Sequence, residues 1–320
     1  MRLSNYIFMF VILPPIMLSG QVKKDINYID TSIVETIEVE EVKEEVVDEP
    51  EEKDMEEVII EIEEVQEEVQ EKPQEEKQIE ITKFKVDGLI LKEGVASEEV
   101  LRVKKFLKRK EYADLKEDYY FDSKTREAVA KYQQSEGLNP DGVVGVNTYK
   151  KINEDMELNK INIPEIDIEF KSEIPGGDFI IINKSNNTLY HLKEKKIIEK
   201  YPVATGKSVE YTPEGKFTIV VKYINPTWGG AGVSKPIKGG GPNNPLGKRW
   251  MGLSIKGGGS YGIHGNANQG SIGTYASLGC VRMFNEDVEG LYEIIPTGTS
   301  VWIGNETKLK EFGIIFSVYQ

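Results

Sequence analysis

The sequence predicts a multidomain protein in which a disordered acidic stalk precedes a small all-α three-helix domain and a mainly-β, sandwich-like domain. Three observations along the 320 residues support this order. A long acidic run has almost no aromatic residues, and the next segment repeats apolar residues at helical spacing. Most of the remainder lacks that spacing and is divided by glycine and proline into short segments typical of strands. The expected boundaries are 1–22 for a signal peptide or membrane anchor, 23–85 for an acidic linker, 86–156 for the helical domain, 157–175 for a second linker, 176–305 for the β-rich domain and 306–320 for a C-terminal tail.

The N-terminus has the order of a secretory signal peptide. Arg2 precedes an apolar run over residues 6–18, and small residues follow that run. The run is short for a membrane span, and Pro14 and Pro15 interrupt it. A cleaved signal is therefore favoured over a retained membrane anchor, and the body of the protein is expected to be exported.

The formal net charge of −14 is concentrated in one segment. Residues 35–80 hold 22 acidic residues and four lysines, which leaves the rest of the chain weakly positive. This segment also contains Pro50 and Pro73 and repels itself, so it cannot bury enough surface to offset the entropy of ordering it. We expect an extended, mostly disordered spacer, and an acidic helix that binds a partner is the alternative.

Three helices are predicted after the stalk. Ser97 is a good N-cap for the first helix. The apolar face of that helix consists of Val100, Val103, Phe106 and Leu107. Asp122 or Ser123 caps the second helix, which ends at Gly137. A turn at residues 139–142 then precedes a short closing helix.

A string of residues across the second and third helices resembles the small peptidoglycan-binding domain found on many wall enzymes. The matching residues are Phe121, Asp122, Thr125, Ala128, Val129, Gln133, Gly137, Leu138, Asp141, Gly142, Gly145 and Thr148. The resemblance implies a three-helix fold that binds peptidoglycan. Most of these positions also have an interpretation as core, caps and turns, so the sequence predicts no individual sugar contact.

Short strands between glycine and proline residues are predicted in the last part of the chain. The expected strands are 178–183, 188–192, 195–206, 215–223 and 297–304. The first two form a hairpin, in which His191 is expected to be structural and exposed. One helix, capped by Asn285, is expected before the last strand.

The only cysteine of the chain, Cys280, is a candidate for a reactive thiol. An unpaired cysteine in an exported protein indicates a reactive thiol or an intermolecular pair, whereas a small buried hydrophobic residue is the alternative. His264 could act as the base that activates the thiol, and Arg282 adds positive charge that favours thiolate. Gly279 allows a tight bend that aims N–H groups at an oxyanion, and Ser277 could hydrogen-bond within the same turn. A structural imidazole is the alternative for His264.

Four short motifs in this order resemble the YkuD-type L,D-transpeptidase domain. They are TPEGKFTI at 212–219, NPLGKRWM at 244–251, YGIHG at 261–265 and SLGCVRM at 277–283. The resemblance extends over residues 178–304 and implies a β-sandwich-like fold and a penicillin-insensitive cross-linking reaction. It implies catalytic roles for Cys280 as nucleophile, for His264 as base and for the Gly265 backbone carbonyl, which orients the imidazole.

The same motif places Ser277, Gly279 and Arg282 on the corresponding family positions, and Leu278 stands where many members have histidine. The implied reaction begins when the Cys280 thiolate attacks the carbonyl of the third stem-peptide residue and forms a thioester. The N–H groups of Cys280 and Gly279 are expected to hold the oxyanion. An incoming amine then completes a cross-link, whereas water in its place gives L,D-carboxypeptidase activity.

A glycine- and proline-rich segment at 225–250 is longer than an ordinary connection and suggests a lid or binding loop. Trp228, Trp250 and Tyr261 could line an acceptor groove, and packing in the core or loop is the alternative for each. Four basic residues could meet stem carboxylates or form a solvated face. These basic residues are Lys235, Lys238, Lys248 and Arg249.

The favoured function is an exported cysteine acyltransferase whose partners are peptidoglycan stem peptides and glycan, in the periplasm or cell wall. Alternatives are a hydrolytic L,D-carboxypeptidase or cysteine amidase and a non-catalytic wall-binding protein. Papain-like amidases usually place cysteine before histidine, whereas His264 precedes Cys280 here. No cofactor and no nucleic-acid partner are expected, and two distant histidines with one cysteine predict no metal site.

Overall fold

The computed structural model describes residues 80–208, 210–230 and 234–318. The signal peptide or anchor expected at 1–22 and the stalk up to residue 79 therefore lie outside the described residues. Within the described ranges, no helix is long and apolar enough to cross a membrane.

The helical domain has the predicted helices. They are α1 (Glu98–Arg109), α2 (Ser123–Ser135) and α3 (Val146–Leu158). The predicted caps are also present, because the side chains of Ser97 and Asp122 accept hydrogen bonds from the N–H groups of Val100 and Thr125. Gly137 follows α2 with a φ of 70°, the left-handed conformation that commonly ends a helix.

The motif residues of the helical domain serve its packing. Gln133 is only 2% exposed and closes the turn between α2 and α3. Its Nε2 donates to Asp141 Oδ1 at 3.0 Å and to Thr148 Oγ1 at 3.0 Å, and its Oε1 accepts the Gly142 N–H at 2.8 Å. Phe106 and Tyr132 pack edge to face in the core, with ring centroids 5.3 Å apart. Gln133, Asp141, Gly142 and Thr148 of the motif therefore have structural roles at this turn.

The second domain is mainly β, as predicted. Its strands are β1 (Ile166–Phe170), β2 (Asp178–Asn183), β3 (Thr188–Lys193), β4 (Lys196–Gly206), β5 (Gly215–Ile224), β6 (Arg249–Leu253), β7 (Gly262–His264), β8 (Tyr275–Ser277), β9 (Val281–Met283), β10 (Ser300–Gly304) and β11 (Ile314–Val318). Among the described residues, nine strands form one sheet in the order β3-β2-β10-β5-β6-β7-β9-β4-β8. Because β3 also pairs with β4, all of these strands except β8 close into a ring.

Apolar side chains from several strands of the ring meet the helix that follows the cysteine. This helix, α4 (Asn285–Ile294), buries Val288 and Leu291 against the sheet. Asn285 was predicted to cap α4, and this is wrong: the N-cap is Phe284, with no side-chain cap. Asn285 is the first helical residue, and its side chain bonds to the loop after β7.

The segments expected to be a second linker and a tail are part of the folded body. β1 lies within the expected linker at 157–175 and pairs antiparallel with β11, which lies within the expected tail at 306–320. A short helix, α5 (Glu306–Glu311), connects β10 to β11. Ile168 and Ile314 of this small sheet form one hydrophobic cluster with Leu309 of α5 and with Tyr190 and Trp302 of the larger sheet.

The helical domain is joined to the loop that connects β7 to β8. The Ala96 N–H donates to the Gly273 carbonyl at 2.8 Å, and Ile272 packs in the hydrophobic core of the helical domain. Elsewhere, the Tyr119 hydroxyl donates to Glu306 Oε1 at 2.6 Å. A cleft of about 940 Å³ is lined by residues of both domains.

Candidate active site

Two short neighbouring strands bring His264 and Cys280 to one side of the sheet. β7 ends at His264 and pairs in parallel with β9, with Ile263 opposite Val281 and His264 opposite Arg282. Ile263 and Val281 belong to the hydrophobic core. Because side chains alternate across a sheet, His264 and Arg282 lie on the opposite side from that core. Cys280 comes one residue before Val281, so by the same alternation it lies on the side of His264 and Arg282.

The ring of His264 is buried and held in one orientation. It is only 3% exposed, and it stacks on Trp250 with centroids 5.6 Å apart and an interplanar angle of 19°. Nδ1 lies 2.5 Å from the Gly265 carbonyl oxygen. A carbonyl only accepts, so Nδ1 carries the hydrogen and Nε2 keeps its lone pair. The pKa of His264 is lowered to about 4, mainly because burial disfavours the charged imidazolium. The hydrogen bond to Gly265 raises this pKa, whereas the positive charge of Arg282 lowers it.

The thiol of Cys280 is partly exposed and has two backbone contacts. Its Sγ lies 3.7 Å from the Ser260 carbonyl oxygen, and the Gly262 N–H is hydrogen-bonded to the sulfur. Burial raises the pKa of the thiol, although Gly262 and Arg282 act in the opposite direction. The positive charge of Arg282 was expected to favour the thiolate, and it does lower the pKa of Cys280, but burial raises that pKa by more. The resting pair at neutral pH is therefore a neutral thiol and a neutral imidazole.

The turn before the cysteine has an unusual backbone. Gly279 has a φ of 132°, and a Cβ at this position would lie 2.4 Å from the Tyr211 carbonyl oxygen and 2.8 Å from Tyr261 Cε1. The Gly279 N–H donates to the buried Ser277 Oγ at 3.1 Å, which is the hydrogen bond within the turn that the sequence suggested. The Gly279 N–H was also expected to donate to an oxyanion, but in this structure it donates to the Ser277 hydroxyl.

The three aromatic residues suggested for an acceptor groove differ in their surroundings. For Trp250 the groove interpretation is wrong and the packing alternative holds, because its side chain is 5% exposed and its Nε1 donates to the Gly258 carbonyl at 2.9 Å. Trp250 is instead the packing partner of the His264 ring. Trp228 is half-buried, and its N–H and carbonyl pair with Ile237 at 2.9 Å each. Tyr261 is half-buried beside Gly279, one of the residues of the thiol turn.

Two further sequence expectations concern charged or titratable residues outside the site. His191 is structural as predicted but not exposed: it is 3% exposed, with Nε2 2.9 Å from Asp178 Oδ1. Two of the basic residues suggested for stem carboxylates form ion pairs with α4, Lys248 with Glu289 at 3.6 Å and Arg249 with Glu293 at 3.3 Å. In the described part of the chain, no group of three or more His, Cys, Asp or Glu residues could hold a metal ion.

Two family models match this chain, and each covers one of the two domains. The model of the L,D-transpeptidase catalytic domain matches residues 177–303, and a peptidoglycan-binding domain matches residues 96–152. A Bacillus subtilis relative that carries the name L,D-transpeptidase YqjB is 42% identical over 140 residues, which are 43% of this chain and 77% of the relative. The chain belongs to the YkuD-type L,D-transpeptidase family. The two domains imply a peptidoglycan acyltransferase with a peptidoglycan substrate, at the cell wall or in the periplasm.

Other relatives of this L,D-transpeptidase chain match the same domain. One that carries the name L,D-transpeptidase YkuD, from Bacillus subtilis, is 37% identical over 124 residues, which are 39% of this chain and 64% of the relative. A solved L,D-transpeptidase structure from Xylanimonas cellulosilytica is 21% identical, with a TM-score of 0.34, over 68% of this chain and 98% of that one. One from Stackebrandtia nassauensis is 21% identical, with a TM-score of 0.35, over 67% and 95%.

Sequence reasoning missed two backbone groups at the thiol of this transpeptidase. Ser260 and Gly262 reach the sulfur through main-chain atoms, so the identity of their side chains gave no signal. Gly262 does have a second role that the motif YGIHG could have indicated. A Cβ there would lie 2.7 Å from the Trp250 ring, so glycine is required for that ring to pack beside His264.

Proposed function

We propose that this chain is an exported L,D-transpeptidase that cross-links peptidoglycan through a thioester on Cys280, with His264 as general base. The observation that carries this proposal is the hydrogen bond from His264 Nδ1 to the Gly265 carbonyl. It leaves the basic Nε2 of a neutral imidazole on the side of the sheet that holds the only cysteine. A cysteine beside an oriented base is the arrangement that nucleophilic acyl transfer needs.

In the first half-reaction, His264 Nε2 takes the thiol proton as Cys280 Sγ attacks the carbonyl carbon of the third stem residue. The tetrahedral intermediate collapses, the C–N bond breaks, and the amine of the terminal D-residue leaves with the proton from the imidazolium. A thioester remains on Cys280. The low pKa of His264 makes its imidazolium a strong acid, which favours protonation of the leaving amine.

In the second half-reaction, the acceptor amine of a neighbouring stem attacks the thioester carbonyl. His264 Nε2 removes a proton from this amine and returns it to the sulfur, which leaves as the thiol when the new amide bond forms. Water in place of the amine would give a hydrolysed stem. The balance between the two products depends on how well the bound acceptor excludes water from the thioester.

The charge of the tetrahedral intermediate needs hydrogen-bond donors near Cys280. We assign the Cys280 N–H as the first donor, and the Gly279 N–H contributes only if the Ser277 hydroxyl releases it. Within the described ranges, no carboxylate forms an ion pair with Arg282. Its guanidinium is therefore available to a carboxylate of the donor stem.

We expect Gly279→Ala to reduce kcat/KM by roughly 100-fold, because a misplaced nucleophile loses the geometry on which attack depends. The added Cβ would lie 2.4 Å from the Tyr211 carbonyl oxygen at a φ of 132°, so the turn must move together with Cys280. Initial rates on a disaccharide tetrapeptide measure the loss of kcat/KM, and thermal unfolding measures the change in stability of the variant. Gly290→Ala is the control, since nothing lies within 4 Å of a Cβ there. Wild-type kinetics in Gly279→Ala would remove the role assigned to this turn.

The helical domain would hold the enzyme on its polymeric substrate, and export would deliver both domains to the wall. The proposed function is tested by incubating the purified chain with disaccharide tetrapeptide and analysing the products by mass spectrometry. Cross-linked dimer, together with an acyl adduct on the intact protein, is the expected result. Trimmed tripeptide alone would establish a carboxypeptidase in place of the transpeptidase, and unchanged substrate would indicate a wall-binding protein without catalysis.

A further inference from the structure

The side chain of Asn285 holds the peptide group that orients the catalytic base. Its Oδ1 accepts the Asn266 N–H at 2.9 Å, and its Nδ2 donates to the Asn266 carbonyl at 3.1 Å. The Asn285 amide therefore satisfies both main-chain groups of one residue. Asn266 directly follows Gly265, whose carbonyl accepts the His264 Nδ1–H.

The Gly265 carbonyl and the Asn266 N–H belong to the same peptide group, and that group is planar. A hydrogen bond at the N–H end therefore fixes the direction of the carbonyl at the other end. It also polarises the peptide group, which strengthens the carbonyl as an acceptor. The hydrogen-bonded chain thus runs from Asn285, through one peptide plane, to His264.

Close packing leaves this peptide little freedom to rotate. A Cβ on Gly265 would lie 2.3 Å from Asn285 Oδ1, and a Cβ on Gly247 would lie 2.5 Å from the same oxygen. Glycine at both positions allows the amide to approach the backbone. Gln269 adds a second connection, because its Oε1 accepts the Asn285 N–H at 3.3 Å and its Nε2 donates to the Asn266 carbonyl.

We propose that Asn285 is a positioning residue for catalysis, which locks the Gly265–Asn266 peptide so that His264 stays protonated on Nδ1 and basic on Nε2. This inference relies on the proposed function for the role of His264. Asn285 is the residue after the N-cap of α4, and its side-chain oxygen is bonded to the loop that carries the base and not to a helix N–H.

The tautomer of His264 provides a test that does not depend on enzymatic turnover. The chain has only two histidines, so ¹⁵N-histidine labelling with His264→Gln as a reference assigns both imidazoles. Wild type is expected to show one tautomer at His264, with hydrogen on Nδ1. Asn285→Leu, which removes both amide bonds, is expected to show mixed tautomers, and Asn285→Asp, which keeps the acceptor for the Asn266 N–H, is expected to retain the Nδ1–H form.

Kinetics supply the second readout, with Asn305→Leu as the matched control. Asn305 is the N-cap of α5, and its Oδ1 accepts the Lys308 N–H at 2.8 Å. Asn285→Leu is expected to lower kcat at least tenfold with KM within twofold, Asn285→Asp to recover most of kcat, and Asn305→Leu to change stability alone. A wild-type tautomer in Asn285→Leu, or equal spectral changes in Asn305→Leu, would overturn the proposal. A wild-type enzyme that makes no cross-links would remove the proposed function but leave the tautomer result standing.

Discussion

Cys280→Ser is expected to abolish cross-link formation, with a loss in kcat that can reach about 10⁶-fold, the order seen when a catalytic nucleophile is removed. The neighbouring imidazole has a pKa of about 4, so it is a weak base. Such a base can assist a thiol, whose proton is comparatively acidic, but it is poorly matched to a serine hydroxyl. The measurement is the initial rate of dimer formation from disaccharide tetrapeptide, followed by mass spectrometry.

Two observations would make this result specific. Cys280→Ala must be as inactive as Cys280→Ser, and neither variant should carry an acyl adduct after exposure to substrate. Both should unfold within a few degrees of wild type, because the thiol is partly exposed and its two polar contacts are with backbone atoms. A serine variant that retained a tenth of the wild-type rate would contradict the assignment of the nucleophile.

His264→Gln is expected to lower kcat/KM by roughly 10² to 10⁴-fold, the usual contribution of a positioned general base. Glutamine keeps a polar side chain next to Trp250 but has no atom that can take a proton at neutral pH. His191→Gln is the control, since that histidine is equally buried but bonds to Asp178 outside the site. An equal loss in both variants would show that buried imidazoles matter only for the fold.

The pH dependence of the wild-type activity also tests the assignment of His264 as the general base. A general base must be unprotonated, and burial depresses the pKa of His264 from 6.5 to about 4. Activity is therefore expected to hold steady as the pH falls through 6.5 and to decline only as it approaches 4. This acid limb should disappear from the residual activity of His264→Gln. A limb centred near 6.5 would instead indicate a solvated imidazole.

The elements that could be predicted from the sequence are those with strong local signals. Ser97 and Asp122 cap their helices, and Gly137 ends one, because each acts on neighbouring backbone groups. The hairpin of β2 and β3 follows from two short segments rich in apolar residues on either side of a short polar turn. The roles of His264 and Cys280 came from the family resemblance, and the parallel pairing of β7 and β9 places Ile263, next to His264, opposite Val281, next to Cys280.

What the sequence did not predict depends on partners far along the chain. β1 and β11 pair although almost the whole catalytic domain lies between them, and neither segment alone shows which strand it will meet. Trp250 was assigned to a groove because its hydrophobicity fits a core and a binding surface equally well, and only the fold distinguishes these. Asn285 was assigned as a cap from local propensity, but a tertiary contact with Asn266 takes its side chain.

The packing of Ile272 in the core of the helical domain links unfolding at the domain boundary to the loop between β7 and β8. This residue and Gly273 lie on the connection between base and nucleophile, and they pack against Leu89 and Val95. Detaching the helical domain would expose Ile272 to water and release the Gly273 carbonyl from Ala96. Partial unfolding at the domain boundary and disorder of the catalytic loop should therefore be one cooperative event. The helical domain and the segment between His264 and Cys280 would then unfold together as one unit of stability.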